Sequence, residues 1–249
     1  MFEPWNSDGS NRFDLFLSHR TAADGQRPVL GLVFNQPAGM PNFKLPIPGN
    51  ARWILTGEAG GYECLGESPL PDTAHQGNNY FSLDFNSDGV LDSGGSYGST
   101  VPILAAAGGT VVALETNSNN VNANGGQGWY ITLDHGSGYL TRYLHFSDRA
   151  KRASGTLLNV GDWVNQGDQI GKMGKTGDPS YGIHLHINFW YKDPQTNQVS
   201  GASTVQLLTY VIMEGLLIKS YQTECHVNSA GVPTDRFRRY HSSNIPTLR

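Results

Sequence analysis

Two histidines separated by one residue, His184 and His186, are the sharpest chemical feature of this sequence. Successive side chains of a β-strand point to opposite faces, so both imidazoles would lie on one face, with Leu185 and Ile187 on the other. Two neutral imidazoles on one face of a rigid strand make half of a zinc site. The motif alone is equally compatible with two histidines on a half-buried strand, so it needs independent support.

A second group of candidate ligands lies in HQGNNYFSLDF, residues 75–85. The end of this segment alternates like a strand, which would place Asp84 on the face opposite Leu83 and Phe85. A carboxylate that points from a strand needs water or a cationic partner, and zinc accepts carboxylate oxygen. Asp84 is therefore a candidate metal ligand, and His75 precedes it in the same segment.

The same aspartate begins a run that imitates a calcium loop. Residues 84–92, DFNSDGVLD, place oxygen-bearing side chains at positions 1, 3, 5 and 9 and a glycine at position 6. Position 12, which should be acidic, is Gly95, and no flanking helix is expected. Calcium is an alternative here, and it coexists with zinc only if Asp84 binds zinc and the other acidic residues bind calcium.

A third candidate is His145 in YLTRYLHF, residues 139–146. Strict alternation along a strand would place Tyr139, Thr141, Tyr143 and His145 on one face. The alternative interpretation of His145 is a strand histidine that is hydrogen-bonded at the rim of a sheet.

The other four histidines look structural. His135 ends a strand signal beside the turn GSG, and His19, His226 and His241 have no second type of ligand at useful spacing. We expect these last three to be surface residues.

Short, glycine-bounded strand signals run from about residue 80 to 192 and would position the candidate residues. The clearest are VPILAAA (101–107), GTVVALE (109–115), GWYITLDH (128–135) and YLTRYLHF (139–146). Their order implies antiparallel pairing through short hairpins. With 31 glycines and only 15% charged residues, the composition is that of a turn-rich β protein. We predict an all-β fold, mostly antiparallel, with few short helices and the metal in a groove across the sheet.

The bulk properties exclude some partners. A net charge of −4 and a pI of about 6.0 provide no basic field for nucleic acid. No apolar run approaches the ~20 residues of a membrane span, and the N-terminus lacks the pattern of a signal peptide. We expect no nucleic-acid partner and no membrane span, a monomer, and a signal that was removed or another route out of the cell.

In combination, these motifs resemble the lysostaphin-type and beta-lytic zinc endopeptidases, which degrade bacterial cell walls. That family has a His followed by an Asp, a later Tyr-x-His on a strand, and a final His-x-His. It also has the pattern G-D-x-V-x-x-G-x-x-I-G-x-x-G-x-T-G, which this chain matches over residues 161–177. The resemblance runs from about His75 to Tyr191, roughly half of the chain.

The resemblance implies a lysostaphin-like catalytic domain with one zinc held by His75, Asp84 and His186. It makes His145 and His184 the catalytic histidines that are not ligands. The usual spacing of the first two ligands is His-x-x-x-Asp, whereas nine positions separate His75 from Asp84 here. Longer spacings that end in Leu-Asp-Phe also occur in the family.

The implied activity is hydrolysis of peptide bonds in bacterial peptidoglycan, in a cross-bridge or a stem peptide, through a metal-activated water. No HExxH helix supplies a glutamate base, so His145 and His184 are the candidates for moving the proton. Such an enzyme would be secreted, extracellular or periplasmic. Two alternatives from other classes are a non-catalytic regulator of cell-wall hydrolases and a calcium-dependent wall-binding module.

The domain organisation follows from the same pattern. We expect an N-terminal wrapping segment at 1–63, the catalytic domain at 64–195 and a C-terminal extension at 196–249, in which residues 205–218 fit a helix or a strand equally well. Because the protein is expected outside the cell, we also expect its two cysteines to form a Cys64–Cys225 disulfide.

Overall fold

The computed structural model describes these parts of the 249-residue chain: 39–48, 51–58, 62–63, 70–71, 79, 82–91, 101–122, 124–177, 182–201, 210–213, 216–219 and 239–241. The chain divides into two compact units, Met1–Met40 and Pro41–Arg249. All of the strands in the described part of the chain belong to the second unit.

Fifteen strands make up most of the regular structure of the described residues, and Ser118–Asn120 forms a 3₁₀ turn. The first four strands are β1 (Ala51–Glu58), β2 (Tyr62–Glu63), β3 (Leu70–Pro71) and β4 (Leu83–Leu91). The next six are β5 (Pro102–Leu104), β6 (Gly109–Leu114), β7 (Trp129–Asp134), β8 (Tyr139–Phe146), β9 (Trp163–Val164) and β10 (Gln169–Lys172). The last five are β11 (Leu185–Lys192), β12 (Val199–Gly201), β13 (Tyr210–Met213), β14 (Leu216–Lys219) and β15 (Arg239–His241).

One 11-stranded sheet dominates the fold, in the order β3-β2-β1-β4-β11-β8-β7-β6-β9, with β12 on β11 and β15 on β1. Every strand pair in the described part of the chain is antiparallel. The predicted all-β, mostly antiparallel fold is therefore confirmed. The three central strands β4, β11 and β8 carry the candidate site.

One face of these central strands is the hydrophobic core. Its side chains alternate along each strand and are at most 4% exposed: Leu83, Phe85, Tyr139, Tyr143, Leu185, Ile187 and Phe189. The predicted orientation of Leu185 and Ile187 away from His186 is thus observed, as is that of Leu83 and Phe85 away from Asp84. The opposite face is left for the polar residues of the site.

A second layer covers the core face. Residues 41–48 lie along β5, where Lys44 N donates to Ala106 O at 2.8 Å and Leu104 N donates to Pro46 O at 3.0 Å. This hydrogen bonding buries Phe43, Leu45 and Ile47 completely or nearly so. The aromatic ring of Phe43 meets Phe189 of β11 edge-on at 5.4 Å between ring centroids. Burial of these apolar side chains fixes the back of the site.

The strand signals of the sequence match the structure closely. The four segments predicted between residues 101 and 146 contain β5, β6, β7 and β8. Residues 205–218, which fitted a helix or a strand, include β13 and most of β14, which pair with each other. The strand interpretation was therefore the correct one for the described part of that segment.

Parts of both predicted flanking segments pair with the central sheet. Strand β1 lies within 1–63 and pairs with β4, while β12 and β15 lie within 196–249 and pair with β11 and β1. The boundaries at 63/64 and 195/196 stay predictions. Cys64 and Cys225 lie outside the described residues, so their disulfide stays a prediction too. Among the described residues, no helix has the length and apolar character needed to cross a membrane.

Candidate functional site

The register of β4 and β11 brings Asp84 and His186 side by side. The two residues are directly opposite in the antiparallel pair, and opposite side chains on one face of such a pair are neighbours. His186 Nδ1 lies 2.8 Å from Asp84 Oδ1, and both residues are only 6% exposed. A carboxylate this deeply buried needs a cationic partner. The site thus places one oxygen donor and one nitrogen donor around a single point.

Two more imidazoles lie against this pair. The ring of His145 is 4.7 Å from that of His184 and 5.8 Å from that of His186, measured between centroids. His184 stands just before β11, where its backbone N donates to Gly174 O at 3.1 Å. The structure therefore brings together four of the five predicted site residues, namely Asp84, His145, His184 and His186.

His145 reaches the site through a break in the strand. Regular alternation predicted that it shares a face with Thr141 and Tyr143, and that prediction is wrong, because those residues point into the core. The backbone of His145 has a φ of 64°, and the register between β7 and β8 shifts at this point. This bulge turns the imidazole onto the opposite face. A left-handed φ at a residue other than glycine is strained and is often found at functional sites.

The loops at the end of the groove hold His145 in place. His145 Nδ1 is 2.9 Å from Thr176 O; a carbonyl only accepts, so Nδ1 carries the proton and Nε2 is the basic nitrogen of the neutral ring. The Thr176 hydroxyl accepts from Trp129 N and donates to Phe146 O, at 3.0 and 2.7 Å. Gly177 has a φ of 115°, and a Cβ there would collide with the backbone of Gly126. The Thr-Gly end of the glycine-rich motif therefore serves to position a histidine.

The ring of His184 is oriented in a similar way. Its Nδ1 is 2.9 Å from Gly182 O, so here too Nδ1 is protonated and Nε2 is the basic nitrogen of the neutral ring. Gly174, which pairs with His184, has no room for a side chain, since a Cβ would meet the backbone of Ser147. Two glycines of the motif thus set the spacing of the two histidines.

Electrostatics keep His145 neutral. Burial, reinforced by His184 and His186, lowers the pKa of His145 to about 3. Asp84 and the carbonyl of Thr176 act in the opposite direction but do not compensate. An imidazole that is neutral at neutral pH has a lone pair available as a proton acceptor.

His145 and His186 open into a groove of about 320 Å³. Its lining residues are Asn79, Gly125, Gly126, Gln127, Arg142, Leu144, His145, His186, Asn188 and Trp190. Sequence reasoning did not single out Arg142 or Asn188. The two-residue alternation of a strand could have indicated Asn188, because it follows His186 by two positions and so lies on the same face. Arg142 is directly opposite Asn188 in the pair of β8 and β11.

His75 lies outside the described residues, so its predicted role as a ligand stays a prediction. The described residues contain no cluster of three or more metal-binding side chains. The donor set that they do contain fits zinc, which binds imidazole nitrogen and carboxylate oxygen at about 2.0–2.2 Å. Two tetrahedral ligands at that range lie about 3.3 Å apart, and the 2.8 Å between His186 Nδ1 and Asp84 Oδ1 is close to it.

The calcium alternative fits the backbone poorly. Residues 84–91 lie within β4, where Asn86 and Ser87 pair with Ile54 and Trp53 of β1. A calcium loop must curl around its ion so that successive oxygens converge, whereas an extended strand sends them to alternate faces. The position of Asp84 beside His186 is thus not part of a calcium loop.

His135 has the structural role that was expected of it. Its Nδ1 is 2.9 Å from Gly108 O and its Nε2 is 2.7 Å from the Thr141 hydroxyl, so both ring nitrogens are engaged by the protein. Phe43 packs edge-on against the ring. Of the remaining histidines, only the backbone of His241, in β15, is described, and the surface position expected for it, His19 and His226 stays a prediction.

The sequence and the fold were compared with those of known proteins, and the sequence matches one peptidase family. Residues 90–198 match the model of peptidase family M23. The peptidoglycan DD-endopeptidase ShyC of Vibrio cholerae serotype O1 is 33% identical over 108 residues, 42% of this chain and 22% of that protein. Lipoprotein NlpD of Yersinia enterocolitica is 34% identical over 106 residues, 43% of this chain and 92% of that protein. The solved M23 metalloprotease pseudoalterin, from the deep sea, has a TM-score of 0.47 and 20% identity, covering 80% of this chain and 98% of its own.

The family match covers part of the site. It includes His145, His184 and His186 but begins after Asp84, and this chain spans only about a fifth of the length of ShyC. The match to the family model, joined by a relative that is covered over nearly its whole length, shows that this chain belongs to peptidase family M23.

Proposed function

We propose that this protein is a zinc-dependent endopeptidase that hydrolyses peptide bonds of bacterial peptidoglycan. The observation that carries the proposal is the contact between Asp84 Oδ1 and His186 Nδ1, at 2.8 Å, with the rings of His145 and His184 beside it. Membership of peptidase family M23 and a relative described as a peptidoglycan DD-endopeptidase support the reaction and the substrate class. The cell wall lies outside the cytoplasm, so the proposed place of action is extracellular or periplasmic.

Asp84 and His186 would hold the metal, His186 through Nδ1, and His75 is the proposed third ligand. When bound, zinc supplies an activated water at neutral pH and polarises the scissile carbonyl. Three protein ligands would leave the fourth tetrahedral position for that chemistry. The near-complete burial of Asp84 and His186 keeps bulk water from weakening these interactions.

His145 and His184 are the proposed proton carriers. Each has its Nδ1 proton directed at a backbone carbonyl, so Nε2 is the basic nitrogen that would accept a proton from water and deliver it to the leaving amine. His145 is buried and rigidly held, while His184 is partly exposed beside the groove. Two imidazoles in contact can share the acid and base roles.

A non-catalytic regulator is the main alternative, because such a protein needs the fold but not the chemistry. It has no need to bury a carboxylate beside one histidine and to orient two others. A calcium-dependent wall-binding module is the second alternative, and the extended backbone of β4 argues against it.

Metal analysis and a cleavage assay test the proposal together. Protein purified without chelator is expected to contain stoichiometric zinc and to release new amino termini from bacterial peptidoglycan, and a chelator abolishes this release until zinc is restored. His186→Ala removes one donor of a buried pair, so it is expected to lose both the zinc and the activity.

Each alternative gives a different result. New reducing sugar ends in place of amines would show a glycan-cleaving enzyme. Calcium in place of zinc would support the wall-binding module, and neither metal nor cleavage would support the regulator.

A further inference from the structure

The groove contains a cationic side chain, Arg142, that the proposed reaction does not use. Arg142 lies on β8, directly opposite Asn188 of β11. Both residues line the same groove as His145 and His186.

The guanidinium of Arg142 is held on several sides. It lies over the ring of Tyr130 at 4.8 Å and over that of Trp190 at 4.5 Å. Its Nε donates to the Thr132 hydroxyl at 2.8 Å, and its Nη1 donates to Gln127 Oε1 at 2.7 Å. Two aromatic faces and two fixed acceptors leave the planar group little freedom. The guanidinium is therefore preorganised, and a ligand that binds it pays little for ordering it.

The charge of Arg142 is not neutralised within the described protein. None of the ion pairs among the described residues includes Arg142, and its contacts are with hydroxyl, amide and aromatic groups. Its Nη2 donates no hydrogen bond to a described residue. A half-buried cation without a counter-ion is unfavourable, and burial accordingly lowers the pKa of Arg142 below its usual range. An anionic ligand would remove that cost.

Arg142 lies about two residues along the sheet from the proposed position of the scissile bond. Asn188, its neighbour across the strand pair, is two residues from His186, a distance of about 7 Å along a strand. An extended peptide covers about 7 Å with two residues. If a substrate lies in the groove with its scissile bond at Asp84 and His186, the part of it that faces Arg142 is therefore about two residues from the scissile bond.

We propose that Arg142 is a specificity-determining residue that binds a carboxylate of the substrate peptide, about two residues from the scissile bond. The inference rests on the proposed endopeptidase function and names what its substrate must carry. The planar fork of N–H donors matches a carboxylate in geometry as well as in charge. That carboxylate belongs either to an acidic side chain of the peptide or to its C-terminus.

Amidated peptides test this inference on the full-length zinc-loaded protein. A stem peptide that the protein cleaves is compared with versions in which the side-chain carboxylate or the C-terminal carboxylate is converted to an amide, and kcat/KM is measured by the release of new amino termini. Loss of a charged hydrogen bond predicts a decrease in kcat/KM of about 10–100-fold for one of the two amides. The amide that is affected identifies the source of the carboxylate.

Substitution of the arginine should remove the same interaction. Arg142→Gln is expected to lower kcat/KM far more for the acid peptide than for the amide, so that the ratio between the two approaches one. Arg142→Lys keeps the charge but not the planar fork, and it should give an intermediate ratio. The ratio is measured on one preparation, so the fraction of folded protein cancels. Arg149→Gln is the control, because its Nη2 donates to Asn159 outside the groove, and its ratio should equal that of the parent.

The outcomes separate this inference from the proposed function. Equal cleavage of acid and amides by the parent protein overturns the role of Arg142 and leaves the endopeptidase function standing. An Arg142→Gln variant that loses activity equally on both substrates shows a purely structural arginine and also overturns the inference. If the zinc-loaded parent cleaves no peptide at all, the proposed function fails and this inference fails with it.

Discussion

His135, which is half-buried, and His145, which is buried, lie on opposite faces of the same sheet. Burial is the largest factor that lowers the pKa of each. Both nitrogens of His135 are engaged by the protein, through Gly108 and Thr141. The ring of His145, in contrast, has Nδ1 at a carbonyl and lies against two other imidazoles. Burial and a shifted pKa are thus shared by a structural and a candidate catalytic histidine, and the surroundings of the ring distinguish them.

The two faces of the sheet differ in the same way as these two rings. On the core face, the Tyr143 hydroxyl accepts from Ala106 N at 2.9 Å and lies 3.0 Å from the Thr141 hydroxyl, which continues to His135. Each polar group there has a neighbour that stabilises the fold. On the groove face, Asp84 is paired with His186, and the rings of His145 and His184 lie beside this pair. Substitutions on the groove face should therefore change activity, and those on the core face should change stability.

His184→Ala is the groove-face substitution that sharpens the comparison most. His184 is not a proposed ligand, so the variant is expected to keep its zinc while kcat falls by about 10²–10⁴-fold, the usual contribution of general acid–base catalysis. Zinc content and amine release on the same preparation check this.

Lys175→Ala is the matched control for His184→Ala. Lys175 is exposed and follows Gly174, the backbone partner of His184, so this variant should behave like the parent. A His184→Ala variant as active as the parent would show that the proposed proton carrier is wrong, even with zinc present.

Much of this arrangement could be predicted from the sequence. Alternation placed Leu185 and Ile187 in the core and Asp84 on the opposite face, because a period of two is a local property of a strand. That Asp84 lies opposite His186 could not be predicted from alternation, since it depends on the register between β4 and β11, and these two residues are 102 positions apart in the sequence. The resemblance to a family, and not the pattern, supplied that part.

The orientation of His145 shows where local reasoning fails. Nothing in YLTRYLHF marks a bulge, since it contains neither glycine nor asparagine, the residues that enter the left-handed region most readily. The positive φ is imposed by contacts with Gln127 and Thr176, which lie far from it in the chain. The sequence does not reveal the proposed role of Arg142 for the same reason, because its aromatic neighbours Tyr130 and Trp190 come from two other strands.

Tyr143→Phe tests the core face with a smaller effect. The substitution leaves Ala106 N–H buried without its acceptor, and we expect the free energy of unfolding to fall by about 1–3 kcal/mol. Zinc content and activity per folded molecule should stay at the parental level. Urea denaturation and the cleavage assay measure the two quantities.

Tyr191→Phe is the matched control for the core-face substitution. It likewise removes a tyrosine hydroxyl, but from a less buried ring that packs edge-on against Tyr139. The free energy of unfolding should therefore change by no more than about 0.5 kcal/mol. If Tyr143→Phe abolished activity without loss of stability, the division between the two faces would be wrong.

The smallest expected effect is a pH dependence of stability that arises from His135. Its pKa is lowered in the folded state, chiefly by burial, so the unfolded chain binds a proton below about pH 6.5 that the folded chain does not bind. The stabilisation is therefore fully present above about pH 6.5, and the free energy of unfolding decreases as the pH falls below it. Replacement by a residue that does not titrate, as in His135→Asn, should make this decrease less steep.

Urea denaturation of the parent and of His135→Asn between about pH 8 and pH 5 gives the slope of the free energy of unfolding against pH for each protein. Both proteins are kept free of metal with a chelator, so that loss of zinc at low pH does not contribute, and His145 contributes equally to both. The difference in slope then belongs to His135 alone. Parallel slopes would mean that His135 has the same pKa in the folded and unfolded chains. The pKa shift that His135 shares with His145 would then be wrong. A steeper parental slope would show that the fold holds His135 neutral while both of its ring nitrogens contact the protein.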